Sequence, residues 1–388
     1  MTDFDRIINR RGTNSLKHDG MAERGMPEDI LPLWVADMDF RSPPKVVEAA
    51  ERAAAHGVYG YTVTPESLDE AFVRWHRERL GWDIKNEWII HAPGVMYEVA
   101  AAICALTSKG DAVLVQLPVY HCFISAIRLN ERRVVSSDLI LEDGRYIIDF
   151  DDFESKIVSN NVKLFILCNP HNPVARVFTV DELTRMGEIC LRHGVTVLSD
   201  EIHQDFVYAP YKQIPYASID PELADSSIIC NAPSKTFNLA SINVAAMVIP
   251  NAELRAKLTR VISANFGCEL SPIAVAAVQA AYEHGAQWLD ELKAYLLENY
   301  AAVKDGFAAR SRGIRVQELQ ATYLAWLDFR SLNISQEELQ DRIWNRAKVW
   351  LNDGLAFGEP GRGFMRINIA SPRSVIKEAV SRISDAFI

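Results

Sequence analysis

The sequence predicts an α/β fold, a large domain built on a mostly parallel, mixed sheet and joined to a smaller α+β domain. Three observations carry this reading. From about residue 88 to 250, short apolar runs alternate with helical patterns, the arrangement of a sheet with crossover helices. The chain has 388 residues, long for a single hydrophobic core. From about residue 286 the pattern changes to a long polar helix, then separate strands and shorter helices. The expected division is 1–45 as an N-terminal segment, 46–285 as the large domain and 286–388 as the small domain.

Taken in order, Trp88-Ile-Ile-His91 predicts a strand that runs into Ala92-Pro-Gly94. An alanine-rich helix is expected from Val95 to about Ser108, closed by Gly110. Residues 112–117 and 163–168 predict two more strands. Between them and the next strand, 179–194 predicts a helix with a capping box, Thr179 to Glu182, and a glycine stop. Strands at 195–200, 226–231 and 244–249 complete the expected sheet. In the tail, 323–329 predicts a strand and Ser335 to Glu338 a second capping box. Residues 364–370 predict a late strand and 374–387 a last helix.

Composition removes several classes of function. A net charge of −10 argues against a nucleic-acid footprint, which needs clustered lysine and arginine. The six cysteines, at 104, 122, 168, 190, 230 and 268, are widely spread without CxxC spacing, and Cys168 and Cys230 sit in apolar runs as small core residues. The start of the sequence lacks a signal-peptide apolar core, and no stretch approaches 18 uninterrupted apolar residues. The expected location is the cytoplasm, with no membrane or nucleic-acid partner.

The chemistry concentrates at strand ends. Ser234-Lys235-Thr-Phe-Asn-Leu239 follows the apolar run Ile228-Ile-Cys230, so a lysine stands where α/β folds place their ligands. Upstream, Val195-Thr-Val-Leu-Ser-Asp200 brings an aspartate to the same edge. Either residue alone fits a surface lysine or a helix-capping aspartate. Together they suit pyridoxal 5′-phosphate, which needs an amine for its aldehyde and an anion to keep its ring nitrogen protonated.

The surrounding motifs set a family. They are Leu33-Trp-Val-Ala-Asp-Met-Asp-Phe40, Tyr59-Gly-Tyr-Thr62, Asn169-Pro-His-Asn-Pro173, Ser199-Asp-Glu-Ile-His203, the Lys235 motif and Arg366-Ile-Asn-Ile-Ala-Ser-Pro-Arg373. In this order, over nearly the whole chain, they resemble fold-type I pyridoxal-phosphate enzymes of the class I/II aminotransferase superfamily. Within it the likeness is to the MalY/PatB group of cystathionine β-lyases, or C–S lyases. The resemblance implies β-elimination from a sulfur-containing L-amino acid such as cystathionine or cysteine, giving pyruvate, ammonia and a thiol. A class I/II aminotransferase is the alternative, and a cofactor-bound regulator that recruits a partner protein is a second.

The resemblance also assigns residues. Lys235 would carry the cofactor as a Schiff base and take the Cα proton, and Asp200 would pair with the ring nitrogen. Asn172 and His203 would reach the phenolic oxygen, although asparagine also forms turns and histidine also packs in cores. Histidine at 203, where the broader aminotransferases usually carry tyrosine, is the best single pointer to the lyase branch. Tyr120 would stack on the ring. Gly94, Val95 and Met96, at a helix start, and Ser234 would hold the phosphate. Tyr61 would reach it from the partner subunit of a homodimer with a shared site. Arg366 would take the substrate carboxylate through its guanidinium fork, with Ala36 and Tyr61 also on the substrate side. Three positions depart from the family pattern: Ala175 and Ser241 replace glycines, and Asn243 stands where many aminotransferases carry a phosphate-binding arginine.

Overall fold

The computed structural model describes residues 2–265, 267, 269–311 and 313–388. Its centre is a seven-stranded sheet: β1 (Ile89–Ala92), β2 (Ala112–Val115), β3 (Arg133–Ser136), β4 (Val162–Cys168), β5 (Thr196–Asp200), β6 (Ser227–Asn231) and β7 (Ala245–Val248). The spatial order is β1-β7-β6-β5-β4-β2-β3. From β6 to β3 all neighbours are parallel, and β7 is antiparallel to both β6 and β1. The reversal at β7 leaves β1 pointing the same way as β6. The carboxyl ends of β1, β2, β4, β5 and β6 therefore meet at one edge, where the topology makes a ligand crevice. The inner strands are buried along their whole length, as strands covered on both faces must be.

A second sheet has four strands, β8 (Arg315–Val316), β9 (Leu324–Asp328), β10 (Asn352–Asp353) and β11 (Phe364–Asn368), in the order β8-β9-β11-β10. Its pairings are all antiparallel, and a 25-residue helix, Ala286–Arg310, leads into it. The N-terminal segment does not stand apart. Leu31–Pro32 pairs in parallel with Val349–Trp350, and Trp34 stacks on Trp350 at 4.3 Å. Phe4, Leu33, Met38 and Phe40 share one apolar cluster with Leu292, Val303, Ile367 and Ile383. Burying those rings is what ties the first 40 residues to the tail.

The predicted strands are all present, with ends shifted by up to two residues. The capping box at Thr179 is complete, its hydroxyl accepting from Glu182 N–H and the Glu182 carboxylate from Thr179 N–H. At Ser335 only half of one forms. Ser335 Oγ accepts from Glu338 N–H, but the Glu338 carboxylate turns to Arg342 one helical turn on, and the helix continues as a π-helical segment over Asp341–Arg346. The helix from Val95 ends at Leu106, two residues before the expected Ser108, and Gly110 serves the following turn at φ +86° rather than closing the helix. Of the cysteines, Cys168 and Cys230 are core residues as expected, whereas Cys268 lies outside the described residues.

Candidate active site

At the shared sheet edge lies a cavity of about 500 Å³, within the range of sites that hold a cofactor and a small substrate. Its wall contains Ala36, Gly94, Val95, Met96, Tyr120, Asn172, Asp200, His203, Ser234, Lys235 and Arg366. Every residue singled out from the sequence is there except Tyr61, which is 96% exposed and outside the cavity of its own chain. Next to Tyr61, Val58, Tyr59 and Val63 are also exposed.

Lys235 stands on a short helix, Pro233–Thr236, that begins two residues after β6 ends. Its Nζ donates to the carbonyl of Ala36 at 2.7 Å. Burial is the largest influence on this amine and brings its pKa to about 8, with Arg366 adding to the lowering and Asp37 and Asp200 opposing it. An amine so placed has a sizeable free-base fraction near neutral pH. Asp200 is the last residue of β5, opposite Cys230 in the register of β6. One carboxylate oxygen accepts from Ile202 N–H at 3.1 Å. Burial pushes its pKa up to about 7, against that bond and Lys235.

Arg366 comes from β11 and is buried. Its Nη1 donates to Asn172 Oδ1 at 2.8 Å and its Nη2 to the Trp34 carbonyl at 3.0 Å, while the guanidinium lies 4.8 Å from the Phe357 ring centre. Nε has no partner, so donors remain for a carboxylate among the five N–H bonds of this group. Burial lowers its pKa to about 10, which leaves it a cation at neutral pH. His203 is held far below its ordinary value, first by burial and then by Lys235 and Arg366, and is a neutral imidazole with Nδ1 unpartnered. Burial raises the Tyr120 phenol, so it stays protonated.

The Gly94 end has a different character. The helix Val95–Leu106 opens here, and its first intrahelical bonds run from Tyr97 and Glu98 to Gly94. The N–H groups of Val95 and Met96 precede that ladder, as free helix-start donors do. Ser234 and Asn243 also line the cavity. Asn243 sits at φ +55° after a 3₁₀ turn, Ala240–Ile242, that contains Ser241.

The chemistry of the donor set fits pyridoxal phosphate: a depressed amine, a buried carboxylate with room on its cavity side, and backbone donors for a phosphate. Family comparison agrees with that arrangement. Residues 28–383 match the family described as aminotransferase class I and II. The chain belongs to that family. It is 40% identical over 383 residues to the Bacillus subtilis protein named cystathionine beta-lyase PatB, covering 99% of both chains. A structure of a PLP-bound putative aminotransferase from Clostridium difficile superposes with a TM-score of 0.97 at 38% identity, covering 100% of both chains. Cystalysin from Treponema denticola, in a structure containing pyridoxal 5′-phosphate, gives 0.96 at 35%, covering 100% of this chain and 98% of that one.

Several residues in and around the site escaped the sequence reading. Tyr323 donates its hydroxyl to Ala36 O at 3.0 Å, the same carbonyl that receives Lys235. Asn238 clamps the 33–40 loop, accepting from Met38 N–H and donating to the carbonyls of Met38 and Phe40, and Asn368 donates to Val35 and Asp37 carbonyls. Both asparagines lie inside quoted motifs, so the motifs were a signal for them. Trp34, inside the quoted 33–40 motif, also lines the cavity, as do Leu16, His121, Asn352 and Ala356, which the sequence reading did not assign.

Proposed function

We propose that this family member is a pyridoxal 5′-phosphate-dependent C–S β-lyase. It would release pyruvate, ammonia and a thiol from an L-cysteine S-conjugate of the cystathionine or cysteine type. The observation that carries the reading is the meeting of Lys235, Asp200 and Arg366 in one buried cavity, in a chain 40% identical to a cystathionine β-lyase.

When bound, the cofactor supplies an aldehyde for an amine and a protonated ring that accepts the electron pair left at Cα. The protein would do the rest. Arg366 would hold the substrate carboxylate and so fix how the bonds at Cα are oriented. Lys235 Nζ takes the Cα proton, which its lowered pKa equips it to do. Asp200 would accept a hydrogen bond from the ring N–H, and Tyr120 would cover one face of the ring. Neutral His203 and the Asn172 amide donate toward the phenolic oxygen. Gly94, Val95, Met96 and Ser234 receive the phosphate, with Asn243 leaving that end without the usual arginine.

The family's own name and the aminotransferase likeness favour transamination as a second reading. Purified holoenzyme given cystathionine or cysteine alone decides. The lyase reading expects pyruvate and ammonia in equal amounts over many turnovers, with Lys235→Ala inactive. Turnover that stalls until a keto acid is added overturns it. We also propose a two-fold homodimer in which exposed Tyr61 completes the partner's site. Mixing Tyr61→Phe and Lys235→Ala subunits should then restore one intact site per hybrid, and no recovery counts against the shared site. The division at residues 45 and 285 belongs to this proposal, with the Arg366-bearing part closing on substrate. No helix among the described residues is long and apolar enough to cross a membrane, and we place the enzyme in the cytoplasm.

A further inference from the structure

The carbonyl of Ala36 accepts from Lys235 Nζ at 2.7 Å and from the Tyr323 hydroxyl at 3.0 Å at once, which engages both lone pairs of the oxygen. Nothing in the steps above employs Tyr323, although it shares an acceptor with the reactive amine. It is buried and off the cavity wall. Burial, then Asp37, raise its phenol above the ordinary value, so the hydroxyl stays protonated and donates. The ring meets His203 edge-on with centres 5.9 Å apart and Phe206 with centres 5.0 Å apart. Packing therefore fixes the ring, and the hydroxyl serves the Ala36 carbonyl.

The carbonyl is held by its neighbours as well. Asn368 Nδ2 donates to the flanking carbonyls of Val35 at 2.7 Å and Asp37 at 2.6 Å, and Asn238 Oδ1 accepts from Met38 N–H at 3.0 Å. Loss of the Tyr323 hydroxyl alone leaves Ala36 O in place and Lys235 with its acceptor. What changes is the strength of that acceptor. An ammonium makes a charge-assisted bond that draws more on a carbonyl than the bond from a neutral amine does. A second donor on the same oxygen takes part of that electron density and sets its positive hydrogen beside the ammonium. The protonated lysine loses more by this than the free base, so the free base is favoured. The titratable groups facing the amine are Asp37 on the 33–40 loop, Asp200 at the end of β5, Arg366 on β11, Cys122 and His203. Each stays as it is when the Tyr323 hydroxyl alone is removed.

We propose, resting on the role given to Lys235 above, that Tyr323 is a positioning residue of the site. By sharing the Ala36 carbonyl, it stops that oxygen from holding the amine as an ammonium and keeps the lysine available as a base. Tyr323 acts through Ala36 O and not on the substrate.

Tyr323→Phe removes the hydroxyl and keeps the ring, and two titrations read the effect. In the cofactor-free full chain, trace acetylation by acetic anhydride, read on the Lys235 peptide by mass spectrometry, follows the free base of this amine against pH. The wild-type midpoint is expected at about pH 8. That of the variant should lie about 0.5–1 pH unit higher, the worth of one hydrogen bond. In holoenzyme the acid limb of kcat should move up by the same interval, a loss of about three- to tenfold below the limb with the plateau above it retained. Tyr208→Phe is the control. Its hydroxyl also lies in the core, donating to Thr322 O at 2.9 Å, and its removal should leave both midpoints where they are. An unmoved or lowered midpoint for Tyr323→Phe in either titration overturns the proposal, as does an equal rise in Tyr208→Phe. A lowered kcat plateau with both midpoints unmoved overturns it too, because the hydroxyl would then only hold the loop. Acetylation needs no turnover, so it decides for Tyr323 even if cystathionine and cysteine yield no pyruvate and the lyase reading falls.

Discussion

The floor and the roof of the cavity are built in opposite ways. The floor is the edge of the central sheet, where β5 ends in Asp200 and β6 leads to Lys235. It contributes side chains whose ionisation is shifted by burial. The roof is the loop 33–40, and what it offers the site is chiefly backbone: Trp34 O to Arg366 and Ala36 O to Lys235 and Tyr323. Its charged side chains face away from the cavity into a separate cluster. There buried Lys17 lies between Asp37 and Asp39, joined by Arg10, His18 and Ser371. Burial opposes ionisation of Asp39, yet Lys17, His18 and Ser371 hold its carboxyl well below the usual range. The floor therefore sets the chemistry, and the roof sets where the reactive amine and the guanidinium rest.

The largest expected effect strikes the roof. Lys17→Met leaves two aspartates facing a hole where a fully buried cation stood, a loss that costs about 3–5 kcal/mol when one member of a buried pair is removed. Denaturant unfolding of the variant measures it. A loss under about 1 kcal/mol would mean that the roof is held by Asn238 and Asn368 alone, and the contrast with the floor would weaken.

The floor is tested by pH. Asp200 has a folded pKa near 7 against about 3.9 in an unfolded chain. Between those values the folded cofactor-free protein binds more protons than the unfolded one, so this group makes stability fall as pH rises from about 4 to 7. Asp200→Asn removes that slope. Its stability relative to wild type should climb through this window and level off above it, by on the order of 4 kcal/mol. Parallel curves for the two apoproteins would show that Asp200 ionises without strain, and the floor would lose its distinguishing property.

Arg366 joins the two regions, held by Asn172 on the floor side and Trp34 O on the roof side. Arg366→Lys keeps a cation but can hold neither both anchors nor a two-point carboxylate. Charge-assisted bonds contribute about 1.5–3 kcal/mol each, so kcat/KM should fall about 10- to 100-fold with cofactor content unchanged. Normal kcat/KM would assign the carboxylate to another residue.

The same contrast explains what the sequence made legible. The two floor strands are apolar runs, one ending in Asp200 and the other leading to Lys235 four residues on, so their pattern placed both residues at one edge before any coordinates. The roof has no such period. Ala36 acts through a carbonyl, which every residue possesses, and Lys17 becomes a buried cation only because 22 residues on Asp39 folds against it. Leu16, His121 and Ala356 meet across segments far apart in sequence, and local patterns carry no signal for such a meeting. The short helices at 44–55, 121–129 and 150–160 and the hairpin at 140–147 also went unread.

Ala175 is the smallest and cleanest test of how far the floor has been optimised. It follows the Asn169–Pro173 turn that carries Asn172, and it sits at φ +59°, in the left-handed region. The conformation is imposed from both sides: Ala175 N–H donates to His171 O at 2.8 Å, and Ala175 O accepts from Gln320 and Ala321 N–H, both at 3.0 Å. A Cβ there is strained by about 1–2 kcal/mol, which accounts for the usual glycine, although glycine gives back part of the gain through the freedom of its unfolded chain. The buried methyl of Ala175, packed in the core that also holds Phe206 and Tyr208, offsets some more. Ala175→Gly should therefore stabilise the protein by only about 0.5–1 kcal/mol, read as a shift in the denaturant midpoint at constant slope. Destabilisation would mean that the methyl's packing outweighs the backbone strain, and that alanine at this position is a repacked core rather than a tolerated departure.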